Sequence, residues 1–157
     1  MDQASKSGRI PAAPFLPDLL ARASHIVVQG FAAELGRRGT SLPVWRVLAA
    51  LSTDSGMAVT ALAEACLLQQ PTMTKLLDRM VRDGLVARSE DPRDRRVVRV
   101  VLTAPGVAKA NELLALAGRY EARVLTHHMQ AESIRTVLED IIAGSSGTTA
   151  ARGGGEG

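Results

Sequence analysis

Within QQPTMTKLLDRMVRDG (69–84), Thr72, Lys75, Arg79 and Arg82 recur at spacings of three and four residues. On a helix that spacing gathers one hydroxyl and three cations on a single stripe. Met73, Leu76, Leu77, Met80 and Val81 fall on the other side and are expected to pack on a core. A helix divided in this way can enter the major groove of DNA. Its N-terminal end would offer hydrogen-bonding side chains to base edges, while its cations reach bases or phosphates.

A second candidate follows at once. In SEDPRDRRVVRVVLT (89–103), Val98, Val100 and Leu102 alternate as the apolar face of a β-hairpin requires. Asp91-Pro92 and Asp94 suit the turn. Arg93, Arg95 and Arg96 serve neither purpose, and they stand at the tip. An arginine on a narrow protrusion can insert into a minor groove, where the potentials of both phosphate chains add. Asp91 and Asp94 can pair with neighbouring guanidiniums and fix their direction. Either feature alone fits a solvated surface. Their position on adjacent elements, after a short helix and a tight LLQQ turn, gives the order helix–turn–helix–hairpin.

These elements need supports, and the chain supplies helices. Leu16, Leu20, Ala23, Val27, Phe31 and Leu35 mark a long amphipathic helix that starts near Pro17 and ends at GRRG (36–39). Thr40 or Ser41 is expected to cap a second helix carrying Val44, Val47, Leu48 and Leu51. Thr60 opens a third, TALAEACL, and Pro71 and Gly84 bracket the fourth. Thr103 caps a fifth, reaching about His128, with an apolar stripe of Val107, Ala110, Leu114, Ala117 and Val124. A sixth, with Ile134, Val137, Leu138 and Ile141 on one face, runs to Gly144. Residues 1–14 read as a flexible arm and 145–157, rich in Gly, as a disordered tail. The fold class expected is mainly α with a small β-hairpin wing. One winged lobe cannot cover the stripes of the first, fifth and sixth helices, so a dimer is expected.

The 157 residues suit one domain, and 46% hydrophobic with 22% charged residues marks an ordinary globular chain. A net charge of +3 is only mildly basic, so a polyanion site must come from local clustering. No apolar run approaches a membrane span, and the N-terminus lacks a signal-peptide core. The single cysteine, Cys66, excludes an internal disulfide and fits a cytoplasmic setting. Cys66 reads as a small buried residue rather than a redox sensor. His25, His127, His128 and Cys66 show no metal-ligand spacing, so neither metal nor cofactor is expected. There is no nucleophile–base pairing and no phosphate loop, which argues against an enzyme.

PVWRVLAAL (43–51), LAEACLLQQPTMTKLLDRMVRDGLVAR (62–88) and DPRDRRVVRVVLTAPG (91–106) resemble the MarR family of winged helix-turn-helix regulators. The resemblance covers about residues 15–143, and the wing motif is its most specific part. It implies a winged helix-turn-helix over about 42–103, flanked by dimerisation helices at about 15–36 and 104–144. It further implies a homodimer that reads an inverted repeat in double-stranded DNA, usually as a repressor, and a small, often aromatic, effector. By position, recognition-helix contacts fall on Thr72, Thr74, Lys75 and Arg79, with Gln70 at a polar site at the helix start. Wing contacts fall on Arg93, Arg95 and Arg96. His25, Trp45 and Arg46, on the first two helices, are candidates for the effector pocket, although Trp45 also suits a core. The competing reading is a winged-helix module for protein–protein contact, which would expose apolar residues where Thr72, Lys75 and Arg79 stand.

Overall fold

The computed structural model describes residues 15–54, 56–90, 98–126 and 130–150. They form six helices and three strands, in two compact units with the boundary between Ala117 and Gly118.

The first unit opens with α1 (Leu16–Gly36), which has a proline in its first turn. The helix continues through Gly36 and is stopped by Gly39, whose φ of 65° is the left-handed conformation that glycine adopts at no steric cost. Thr40 N–H then donates to the Leu35 carbonyl at 3.1 Å, closing the end. Helix α2 (Leu42–Thr53) buries Val47, Leu48 and Leu51, and Val44 is half-buried. Ser41 holds its N-cap position, but no side-chain capping bond forms; Thr40 is buried and turns its hydroxyl to the Arg38 carbonyl. The expected cap is therefore right in position and wrong in hydrogen bonding.

A strand that the sequence pattern does not announce follows, β1 (Met57–Ala58). Two residues are too few to show alternation. Helix α3 (Val59–Ala65) starts one residue before Thr60, and α4 (Gln70–Arg82) follows with Pro71 in its first turn. Met73, Leu76, Leu77 and Met80 are buried as the spacing predicts, whereas Val81 is exposed at the edge of that stripe. Gly84, at φ 71°, ends α4 with Leu85 N–H donating to the Met80 carbonyl.

Strands β2 (Val86–Glu90) and β3 (Val98–Leu102) pair antiparallel from Val86 opposite Leu102 to Glu90 opposite Val98. β1 joins the other edge of β3, giving the order β1-β3-β2. On β3, Val100 is fully buried, Leu102 is half-buried and Val98 is exposed, so the apolar face fades towards the turn. Leu35, Leu48, Leu62, Leu77, Met80 and Val100, drawn from five different elements, are all at 0% exposure and form the core of this unit.

Thr103 starts α5 (Ala104–Leu125) as expected: Gly106 N–H donates to its Oγ1 at 3.1 Å. The buried face differs from the stripe read in the sequence. Ala110 is buried, but Leu113 and Leu116 take the other core positions, and Val107 and Leu114 are exposed. The second unit holds the rest of α5 and α6 (Ala131–Ala150). Helix α6 runs six residues past Gly144, so the segment read as a disordered tail begins as helix. Within this unit, Glu121 pairs with Arg135, and the Arg123 guanidinium lies 5.2 Å from the Tyr120 ring centroid. No helix among the described residues is long and apolar enough to cross a membrane.

Candidate nucleic-acid interface

Helix α4 presents its polar stripe as the spacing requires. Gln70, Thr72, Thr74, Lys75, Arg79 and Arg82 are all exposed, opposite the buried Met73, Leu76, Leu77 and Met80. The chain reaches α4 through residues 66–69, where Leu67 takes φ 56° and is 79% exposed. Leu68 N–H donates to the Ala63 carbonyl and Leu67 N–H to that of Glu64, the same helix stop that Gly39 and Gly84 make elsewhere. A leucine in a glycine position is strained by about 1–2 kcal/mol.

The side chains of the stripe are not equivalent. Thr74 donates its hydroxyl to the Gln70 carbonyl at 3.0 Å, and Arg82 Nε donates to the Asp78 carbonyl at 3.4 Å. Among the described residues, Lys75 and Arg79 form no ion pair and Thr72 makes no side-chain hydrogen bond, so these groups are open to a ligand. N-cap Gln69 makes no side-chain capping bond, which leaves the first N–H groups of α4 unclaimed.

Two residues here escape a reading of the sequence. Asp78 lies on the outward side of α4, and its Oδ1 accepts from Arg88 Nη2 on β2 at 2.6 Å. The Arg88 charge offsets the Asp78 carboxylate, so this face keeps its cationic balance. No signal in the sequence marks the pair, because only the return of β2 along α4 brings the residues together. Similarly, Arg99 on β3 donates to the Gly56 carbonyl at 2.7 Å and ties the hairpin to the start of β1.

The arginines Arg93, Arg95 and Arg96, with Asp91 and Asp94, lie outside the described residues, as do His127 and His128. The strands that carry the hairpin are in place on either side of 91–97.

The three residues considered for an effector pocket are dispersed. His25 is exposed on α1. Trp45 is half-buried with its ring edge-on to Phe31, centroids 5.4 Å apart at 77°. Arg46 Nη1 donates to the Cys66 carbonyl at 3.2 Å. A cleft of about 380 Å³ does open in the first unit, but between the end of α2, β3 and the first turns of α5, lined by Leu51, Asp54, Val101, Val107 and Asn111 among others. Cys66 is fully buried, and burial pushes its thiol above the ordinary value while the Arg46 charge pulls it partly back. Among the described residues, no three His, Cys, Asp or Glu side chains gather as a metal site would need.

A helix-turn-helix followed by an antiparallel hairpin, with the second helix's polar face outward, defines a winged helix-turn-helix protein. Comparison with known proteins narrows the class. The MarR family model matches residues 38–97, from just after α1 to the residue before β3. A MarR family transcriptional regulator of Silicibacter pomeroyi has a similar crystal structure, with 36% identity and a TM-score of 0.71, over 82% of this chain and 96% of that one. The transcriptional repressor MdtR of Bacillus subtilis is 32% identical over 89 residues, a stretch that is 57% of each chain. The homoprotocatechuate degradative operon repressor of Escherichia coli is 28% identical over 128 residues, 79% of this chain and 85% of that protein. The chain belongs to the MarR family of transcriptional regulators.

Proposed function

We propose that the protein is a homodimeric, sequence-specific DNA-binding regulator, a repressor that a small ligand releases from an inverted-repeat operator. The observation that carries this reading is the division of α4: four apolar residues buried, and a row of hydroxyl, amide and cationic side chains exposed along the opposite face. In the proposed complex α4 enters the major groove. Thr72, Lys75 and Arg79 reach base edges or phosphates, and Gln70 and Thr74 contact DNA near the helix start. Arg93, Arg95 and Arg96 would enter the adjacent minor groove, steered by Asp91 and Asp94.

Dimerisation is supported by apolar side chains that each unit leaves exposed. Helix α1 exposes Leu16, Leu19 and Ile26, and α6 exposes Ile134, Val137 and Ile141. Such stripes are uncommon on a lone soluble chain. Release by an aromatic effector, in a protein of the cytoplasm, is supported by the family and by the relative named for homoprotocatechuate degradation. Selection of bound duplexes from a randomised pool tests the reading. Enrichment of one inverted repeat is expected, and an unenriched pool would contradict it.

A further inference from the structure

Beside the exposed stripe of α4 lies a second concentration of charge. A cleft of about 410 Å³ in the first unit is lined by Arg38, Thr40, Ser41, Arg79, Asp83 and Lys109, with Gly39, Val44 and Leu85 completing its walls. Its cations come from three separate elements: the turn after α1, the C-terminal half of α4 and the first half of α5. Arg38 Nη1 donates to Glu112 Oε1 at 3.1 Å, and Lys109 Nζ donates to Glu112 Oε2 at 3.0 Å. One carboxylate is therefore shared between two cations, while Arg79 forms no ion pair among the described residues. With Asp83 and Glu112 counted, the cations still outnumber the carboxylates.

This arrangement has the components of a phosphate site. Glu112 holds two long side chains in place, so less rotamer freedom is lost when an anion arrives. Arg38 and Arg79 carry planar forks that match phosphate oxygens, and Lys109 adds a point charge. Ser41 makes no capping bond and has a hydroxyl to donate. Arg79 belongs to both the cleft and the stripe of α4, so an anion held here would flank whatever α4 engages.

The geometry points to this cleft as a clamp for one backbone phosphate of DNA, beside the groove that α4 enters. The inference rests on the DNA-binding reading above and deepens it. Arg38, Lys109 and Ser41 thereby become contacts that fix register without reading sequence. The clamp joins α4 to α5, so it anchors the first unit to the DNA through a support helix as well as through the reading helix.

The test uses the full chain and a duplex bearing the selected inverted repeat. Affinity is measured across a fourfold rise in salt, for the parent and for Arg38→Ala, Lys109→Ala, their combination and Lys109→Arg. Each phosphate contact contributes a salt slope of about 0.9, or roughly three- to fourfold in affinity over that range. The combined variant is expected to lose that much salt sensitivity for each lobe engaged, with its preferred sequence unchanged. Lys109→Arg is expected to keep the parent's slope. Replacing single phosphates by neutral methylphosphonates should weaken the parent at one flanking position per half-site, and that penalty should shrink in the combined variant, which keeps only Arg79 and Ser41 at the cleft. If the combined variant does not fold, the two single variants each report a part of that loss.

Variants that keep the parent's slope and its full methylphosphonate penalty would overturn the clamp while leaving DNA binding by α4 intact. A parent that binds no duplex would overturn both readings. Inorganic phosphate, titrated by calorimetry without DNA, separates the other source of the same chemistry. Binding to the parent but not to the combined variant, with an unchanged methylphosphonate pattern, would make this a free-anion site and overturn the assignment to DNA.

Discussion

Gly106→Ala probes the junction between the helix-turn-helix and hairpin and the helix α5 that follows them. A Cβ built at Gly106 would stand 1.9 Å from the Leu85 carbonyl oxygen and 2.9 Å from its carbon, both backbone atoms that no rotamer change can move. Ordinary contact begins at 3.4 Å, so the first turn of α5 must retreat from Leu85 by roughly 1.5 Å. That retreat breaks the Thr103 N–H bond to the Leu85 carbonyl, now 3.1 Å, and the Thr103 hydroxyl bond to the Gly84 carbonyl. Two lost hydrogen bonds cost about 2 kcal/mol, and overpacking adds about 1–3 kcal/mol. The better helix propensity of alanine returns about 1 kcal/mol. The net expectation is a loss of about 2–4 kcal/mol. Urea unfolding at one fixed protein concentration measures it, because the stability of the proposed dimer would depend on concentration. Gly36→Ala is the control: it is helical and nothing lies within 4 Å of its Cβ, so a gain of roughly 0.5 kcal/mol is expected. A Gly106→Ala protein as stable as the parent would refute the close approach and the reasoning built on it.

Other perturbations follow from the same geometry. Leu67→Gly relieves a left-handed leucine that is largely exposed and is expected to stabilise the fold by about 1 kcal/mol in urea unfolding; an equal loss would contradict the strain assigned to Leu67. Hydrogen bonds from Lys109 and then Arg38 hold the Glu112 carboxyl below its ordinary 4.5. Its contribution is complete above 4.5 and lost as pH falls through the lower folded value, so Glu112→Gln should be less stable than the parent at neutral pH and match it in acid. Equal stability at neutral pH would show the pairings to be inconsequential. Cys66, buried and with a raised thiol, should react with a thiol reagent only in denaturant, and Cys66→Ser should leave any peroxide response of DNA binding unchanged. Rapid labelling of the native protein would contradict this.

What could be read from the sequence was local. The cap at Thr103, the stop at Gly84 and the burial of Met73, Leu76, Leu77 and Met80 each depend on neighbours within a few residues, so residue type and spacing sufficed. Contacts made by folding left no such trace. Arg88 meets Asp78 only because β2 returns along α4, and Arg38 meets Glu112 from 74 residues away. The buried face of α5 differs from the stripe read in the sequence because the helix carries apolar residues over a wide arc. Packing in the first unit selects Leu113 and Leu116 and leaves Val107 and Leu114 outside. β1 is defined by its pairing with β3 rather than by its own two residues. The last six residues of α6, SSGTTA, are mostly weak helix formers, so propensity alone argues against a helix there.

The most direct test of the central claim is affinity for the selected operator and for its single-base variants, with Lys75→Ala and Thr72→Ala set against the parent. If α4 reads bases, a residue making a good base contact costs about 1–3 kcal/mol when removed and relaxes the preference at one position per half-site. Uniform weakening at every position would assign these residues to phosphates. Variants that bind the operator and all its single-base derivatives as the parent does would contradict the account, because the exposed stripe of α4 would then be solvated surface.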